Sequence, residues 1–420
     1  MREYDKHIFF ILLALSFGLC FCAINSAPLL EPLETVYAEK TSSFFPPLYF
    51  WLLSLCRGIS NYPEINLRIL SAVAVTLTVF SMYVFCTKIF DENAGFWSCV
   101  VLVTTALGAV MAKLASPLPL FVLFLTLTIF CYLYKKYWLM YLFISLSTMT
   151  MGIFGLVYPL GLIILHCVLM DRVERLGNMH LILGTLLVLG AATPWFFMQY
   201  AQYGKVFLQE FLTCKFMAPI NYETAVLHGY AYYLIPFIIA LFPWTGTLPG
   251  AFFASFSDSR NEDLENLGIM HIWWISGLIF LLVYPLKFFN MLWLIIPPLC
   301  VFLGWNFYRI EKTANVYNVL QKVRNYVWGS LITFLAMSFG WFILGKLHTG
   351  LEFSGIVLAV LTIIIYMAAV LILFQYKDIH LYLLIHAGAG VMNIFFFYIF
   401  FLPVIAEQLN LKNYLEKVIG

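Results

Sequence analysis

The sequence predicts an all-α polytopic membrane protein of about 13 transmembrane helices, and three observations carry that prediction. Hydrophobic residues make up 63% of the 420 and charged residues only 10%, more apolar surface than a soluble core could hide. Charge-free runs recur at 8–24, 69–87, 93–112, 114–134, 137–170, 181–204, 224–257, 266–286, 288–308, 325–345, 353–376 and 379–406. Most match the roughly 20 residues with which a helix crosses a bilayer. Basic residues gather in short connections (Lys135-Lys136, Arg172 with Arg175, and Arg309 to Arg324), where the orientation signal is strongest.

The first run follows Met1 to Lys6 and is read as a retained anchor. Asn25-Ser26-Ala27 after it would also suit a cleaved leader, but the many further spans make the anchor simpler. Residues 25–66 then carry Glu31, Glu34 and Glu39, followed by the aromatic stretch Phe44 to Trp51. Such a segment is too acidic to enter lipid and too aromatic to leave its surface. Pro46-Pro47 should open a short helix, because proline suits a first helical turn, with Tyr49, Trp51 and Leu52 dipping into the interface.

The run 137–170 is too long for one span. Gly152, Gly155 and Pro159 near its middle predict two short helices meeting close to Met151, which brings the number of spans to thirteen. A second aromatic connection covers 199–228, and Trp195, Trp244, Tyr232 and Tyr233 read as interface-belt residues. Ser255 to Glu265 reads as a solvated acidic connector, and Gly388-Ala-Gly390 as a site of close helix packing.

Threading the spans from a cytoplasmic N-terminus puts the basic clusters inside and the loops 25–66 and 199–228 outside. The chain then divides into a transmembrane domain over 1–403 and a short external tail over 404–420. Most cysteines fall within spans as small apolar groups. Cys56 and Cys214 would share the outer side, where a disulfide is permitted, and no metal-ligand spacing is present. A net charge of +2 carries no nucleic-acid signal. No span holds a charge at its centre and no repeat is visible, which counts against an ion-coupled transporter.

Several short motifs occur in one order: Pro32-Leu33-Glu34-Thr35-Val36-Tyr37-Ala38-Glu39; Phe44-Phe45-Pro46-Pro47-Leu48-Tyr49-Phe50-Trp51; Pro194-Trp195; Glu210-Phe211; Lys215-Phe216; His228; Tyr232-Tyr233-Leu234; Phe242-Pro243-Trp244; and Lys287 running to Pro297-Pro298-Leu299. Over roughly residues 8–415 the chain resembles the polyprenyl-phosphate-sugar-dependent glycosyltransferases of the GT-C type. Within that type it is similar to the bacterial lipid A aminoarabinose transferases and the protein O-mannosyltransferase-like proteins.

The resemblance implies a multi-pass enzyme of the bacterial inner membrane with interfacial helices in its two external loops. It would move a sugar from a polyprenyl-phosphate carrier to lipid A, another envelope glycan or a protein at the external face, without an organic cofactor, a divalent-metal requirement being left open. The implied phosphate-binding cations are Lys287, Lys215 and Lys113. Glu34 is the implied base, and Tyr37, Glu31 and His228 line the implied donor and acceptor pocket. A cation beside the leaving phosphate stabilises developing charge, and a carboxylate takes the acceptor's proton.

The departures bear on activity. The family's first-loop aspartate falls on Leu33, and the acid of its second external loop on Pro117; Phe44, Phe45, Met151 and Met291 replace further polar positions. The soluble domain that extends larger relatives is not expected here. These departures keep a second reading open, a catalytically degenerate member that binds carrier lipid or a partner enzyme.

Overall fold

The computed structural model describes residues 14, 16–22, 24, 34, 45–212, 230–257, 261–283, 289–313, 319–347, 352–376, 378–397 and 399. All regular structure among them is helical. Seven of the described helices are long and apolar enough to cross a membrane, nine if each of two bent pairs counts as one span.

After a helical piece over 16–21 come α1 (Pro47–Cys56) and α2 (Pro63–Ile89), each opening on a proline at a position whose N–H would be unpaired anyway. In α1, Trp51 is exposed as expected, but Tyr49 is 1% exposed and packs into the protein core rather than the interface. The α3 helix (Glu92–Thr104) starts at Asp91, whose carboxylate accepts from the Asn93 N–H, a cap for an otherwise unpaired donor. A 67° bend at Thr105 leads into α4 (Ala106–Ala112). Next come α5 (Leu118–Leu133) and α6 (Tyr137–Leu169).

The break predicted near Met151 is present: Met151 and Gly152 leave helical geometry, Gly152 with φ +59°. A Cβ on Gly155 would collide with the Ser147 carbonyl, eight residues back, so the chain doubles on itself there. The far end agrees, since the Tyr132 hydroxyl reaches His166 Nδ1 at 2.7 Å across the return. The short α7 (Glu174–Asn178) precedes α8 (Leu181–Leu212), which reverses at Gly204, φ +56°. Phe207 and Phe211 fold back onto Trp195 and Phe196, with the Phe196 and Phe211 rings 4.8 Å apart. A straight helix would hold rings 15 residues apart roughly 20 Å from each other.

Beyond the 3-10 turn Tyr230–Tyr233, α9 (Leu234–Ala240) and the stretch from Trp244 into α10 (Leu248–Ser257) meet at a 100° bend. Then follow α11 (Asn261–Val283), the 3-10 segment Phe289–Leu294, α12 (Ile296–Thr313), α13 (Val319–Leu347), α14 (Glu352–Tyr376) and α15 (Ile379–Phe396).

The two bends pack against each other inside the bundle. A broken helix in hydrocarbon must have its freed backbone groups satisfied by protein. Here the Ala106 N–H donates to the Phe242 carbonyl at 3.0 Å, Trp244 Nε1 donates to Thr104 Oγ1 at 2.8 Å, and His386 Nε2 bonds the Pro243 carbonyl at 3.0 Å. Trp244 is fully buried and Tyr233 is 3% exposed, so neither belongs to an interface belt. Gly390 lets α15 approach Pro243, where a Cβ would clash; Gly388 faces open space, so only half of the expected glycine patch is a packing contact.

The acidic connector reading also needs correction at Glu265. That residue lies in α11, its carboxylate pairs with Arg175 and more loosely with Arg172, and its carbonyl meets His166 Nε2 at 3.1 Å. The basic cluster of the 170–176 turn draws it into the packing of α6 against α11.

Candidate functional site

The helices alternate between two faces of the bundle. One face carries the 113–117 turn, the reversals at Met151 and Gly204 and the end of α11. The other carries the 89–92, 133–137 and 170–181 turns. Arg68 belongs to the first face and Lys88, beside the Tyr134 ring, to the second; 20 residues of helix separate them by roughly 30 Å.

At the first face, Glu34 is fully buried and Arg68 is 3% exposed. Glu34 Oε1 accepts from Arg68 Nε and from the Ala115 N–H, each at 2.8 Å, and Oε2 accepts from Arg68 Nη2 at 2.5 Å. The free edge of the guanidinium reaches the Ile24 carbonyl at 2.9 Å. Two parallel bonds make the pair bidentate, the strongest geometry available to arginine and carboxylate. The Arg68–Glu34 pair thus ties Ile24, Glu34, the start of α2 and the α4–α5 turn together.

The same turn is held a second time, since the Ser71 hydroxyl donates to the Ser116 carbonyl at 3.3 Å and accepts from the Ser116 N–H at 3.4 Å. Pro117, where the resemblance would place an acid, sits at the N-terminus of α5, and the Ser116 hydroxyl accepts the Leu118 N–H at 3.3 Å. A Ser-Pro turn that closes a helix end therefore stands at that position.

Lys113 terminates α4 on the same turn, half-buried, two residues from the N–H that Glu34 accepts. Burial lowers its amine to about 8, an effect that nearby Cys20 and Cys22 partly offset. Of the residues singled out from the sequence, the structure thus brings Glu34 and Lys113 to one turn. Glu31, Tyr37, Lys215, His228 and Lys287 lie outside the described residues, as does Cys214. The described ends of the segments 213–229 and 284–288 are Leu212 and Tyr230, and Val283 and Phe289; the Tyr232 side chain meets the Phe289 backbone. No cluster of three metal-ligating side chains occurs among the described residues.

Arg68 escaped the sequence reading because the charge-free run begins at residue 69. The helix itself begins at Pro63, which puts Arg68 inside it. The usable signal was the lone arginine bordering a span, opposite a loop with three glutamates.

The fold is of the GT-C type, resembling that of ArnT, as the superpositions below show. The profile of the family described as dolichyl-phosphate-mannose-protein mannosyltransferase matches residues 45–197. Nearly the whole chain, 96%, superposes on 78% of the crystal structure of ArnT from Cupriavidus metallidurans in the apo state, with a TM-score of 0.76 and 14% identity. The form of that protein bound to undecaprenyl phosphate gives a TM-score of 0.73 at 14% identity, covering 93% of this chain and 76% of that one. An oligosaccharyltransferase of Archaeoglobus fulgidus is more distant, with a TM-score of 0.50, 10% identity, and coverage of 93% and 56%. By sequence, an uncharacterized protein of Aquifex aeolicus is 28% identical over 190 residues, 43% of this chain and 38% of that protein. The match therefore spans well under half the length of that relative.

Proposed function

We propose that the chain is an integral membrane glycosyltransferase that takes a sugar from a polyprenyl-phosphate carrier and passes it to lipid A, another envelope glycan or a protein at the external face of a bacterial inner membrane. The observation that carries this reading is the superposition of 96% of the chain on ArnT, a fold also solved with undecaprenyl phosphate bound. In the proposed step the anomeric carbon–oxygen bond to the carrier phosphate breaks, the acceptor oxygen forms the new bond, and the carrier leaves as a phosphate anion. Lys113, with Lys215 and Lys287, would hold that anion, since a fixed cation in a water-poor site stabilises the charge as it develops.

Glu34 is the proposed base for a hydroxyl acceptor; an acceptor that is already an oxyanion needs none. To serve, Glu34 must turn one oxygen from Arg68 toward the acceptor. Its full burial among three donors favours a second reading, in which it anchors the site and the chain binds carrier lipid without turning it over. Mass spectrometry of lipid A and other envelope glycans, with and without the gene, separates the two. A sugar lost with the gene supports the transferase, whereas unchanged glycans together with retained binding of undecaprenyl phosphate support the carrier-binding protein. Purified Glu34→Gln, assayed well below its own melting temperature, then assigns the carboxylate: transfer abolished in a folded variant that still binds undecaprenyl phosphate marks a base, and undiminished transfer removes Glu34 from the chemistry.

A further inference from the structure

The face opposite Glu34 holds a cavity of about 300 Å³ between the start of α6 and the start of α8. Lys135, Lys136, Asn178 and His180 supply its polar lining, and Trp138 and Tyr141 its aromatic wall. We propose that this cavity binds the phosphodiester headgroup of an anionic membrane phospholipid.

Uncompensated charge is the first argument. Arg172 and Arg175, in the same set of turns, are paired with Glu265, whereas Lys135 and Lys136 make no ion pair among the described residues. Two adjacent ammonium groups repel each other, and an anion between them removes that cost. The second argument is position. The cavity lies where two membrane-crossing helices begin, and exposed Trp138 and Leu139, in the first turn of α6, line it. A ligand held here needs a charged head toward water and an apolar body toward lipid, which describes a phospholipid rather than a free anion.

Backbone shape is the third. Lys135 and His180 adopt left-handed φ of +56° and +50°, a conformation unfavourable for a residue with a Cβ, and both line the cavity. The lining is braced by its own hydrogen bonds, Lys136 N–H donating to the Cys131 carbonyl at 2.8 Å and the Tyr141 hydroxyl to the Met179 carbonyl at 2.9 Å. The cations therefore line a cavity with fixed walls.

The test uses the full chain in detergent micelles, with native mass spectrometry counting retained lipid after addition of phosphatidylglycerol or phosphatidylcholine. One phosphatidylglycerol should be held in preference to phosphatidylcholine. Lys135→Gln/Lys136→Gln should weaken its retention about thirtyfold, taking roughly the interaction of one basic residue with an anionic surface for each lysine removed. Both lysines are exposed, so an unchanged melting temperature in phosphatidylcholine micelles confirms that the variant folds. Equal retention of the two lipids, equal retention by the double variant, or displacement of phosphatidylglycerol by inorganic phosphate would each overturn the proposal. The readout is independent of transferase activity, so it stands or falls apart from the glycosyltransferase reading.

Discussion

Two buried polar clusters divide the molecule, and they are built on opposite principles. At the Glu34 face a full ion pair is sealed from solvent, with its carboxylate bonded to one edge of the guanidinium and to a backbone N–H. Within the bundle, the cluster between α13, α14 and α15 is neutral. Asn393 Oδ1 accepts from Trp341 Nε1 at 2.5 Å and from Thr362 Oγ1 at 2.9 Å, while its amide donates to the Ala389 carbonyl at 2.8 Å. Desolvating an unpaired charge costs several kcal/mol or more, so ions are kept near a membrane face and paired bidentately. Neutral groups cost less and can join helices at depth, where no water competes. The charged cluster fixes a loop at a site, and the neutral one fixes helices to each other.

The largest expected effect comes from breaking the charged cluster. Arg68→Ala leaves a buried carboxylate unpaired and should cost about 3–5 kcal/mol, read as a lowered melting temperature and loss of the folded fraction in detergent. If Arg68→Ala and the double variant Arg68→Ala/Glu34→Leu lose the same stability, the unpaired charge is not the source of the cost. Gly390→Ala attacks the neutral side through shape. The added methyl meets Pro243 at the bend below Phe242, and a destabilisation of about 1–3 kcal/mol is expected in thermal unfolding.

Trp341→Phe should cost only about 1 kcal/mol, because Asn393 keeps its bond from Thr362. A loss as large as that of Arg68→Ala would show the two clusters to be energetically alike. Carrier binding supplies the mildest test near neutral pH. With Lys113 lowered to about 8 by burial, its cation is present below that value and lost above it. Affinity for undecaprenyl phosphate should therefore fall as pH rises through about 8, and Lys113→Arg should flatten the profile. Stability runs the other way: between about 8 and 10.5 the unfolded chain holds a proton that the folded chain lacks, so this group's contribution to stability rises with pH. A pH-independent affinity in the parent protein would remove Lys113 from carrier binding.

Much of the architecture was legible in one dimension. The seven to nine membrane-crossing helices among the described residues fall on charge-free runs, the reversal in α6 followed from Gly152 beside Met151, and α1 from Pro46-Pro47, because length, proline and glycine act through local geometry. What failed were readings that took residue type for location. Trp244 and Tyr233 looked like interface aromatics and are core, since a bent helix can carry its aromatics inward to cap another helix's break. Glu265 looked solvated, and two arginines claim it. Of the candidate site, the sequence pointed to Glu34 and Lys113 but not to the arginine joined to one of them.

Composition and apolar spacing were enough to determine that this chain lives in a bilayer and roughly where it crosses, because transfer into hydrocarbon is scored residue by residue along the sequence. Only the tertiary structure decided that Glu34 meets Arg68, 34 positions away, and Ala115, 81 positions away. A buried charge takes its partner from whatever the packed helices bring within hydrogen-bonding distance, and no local pattern encodes that distance.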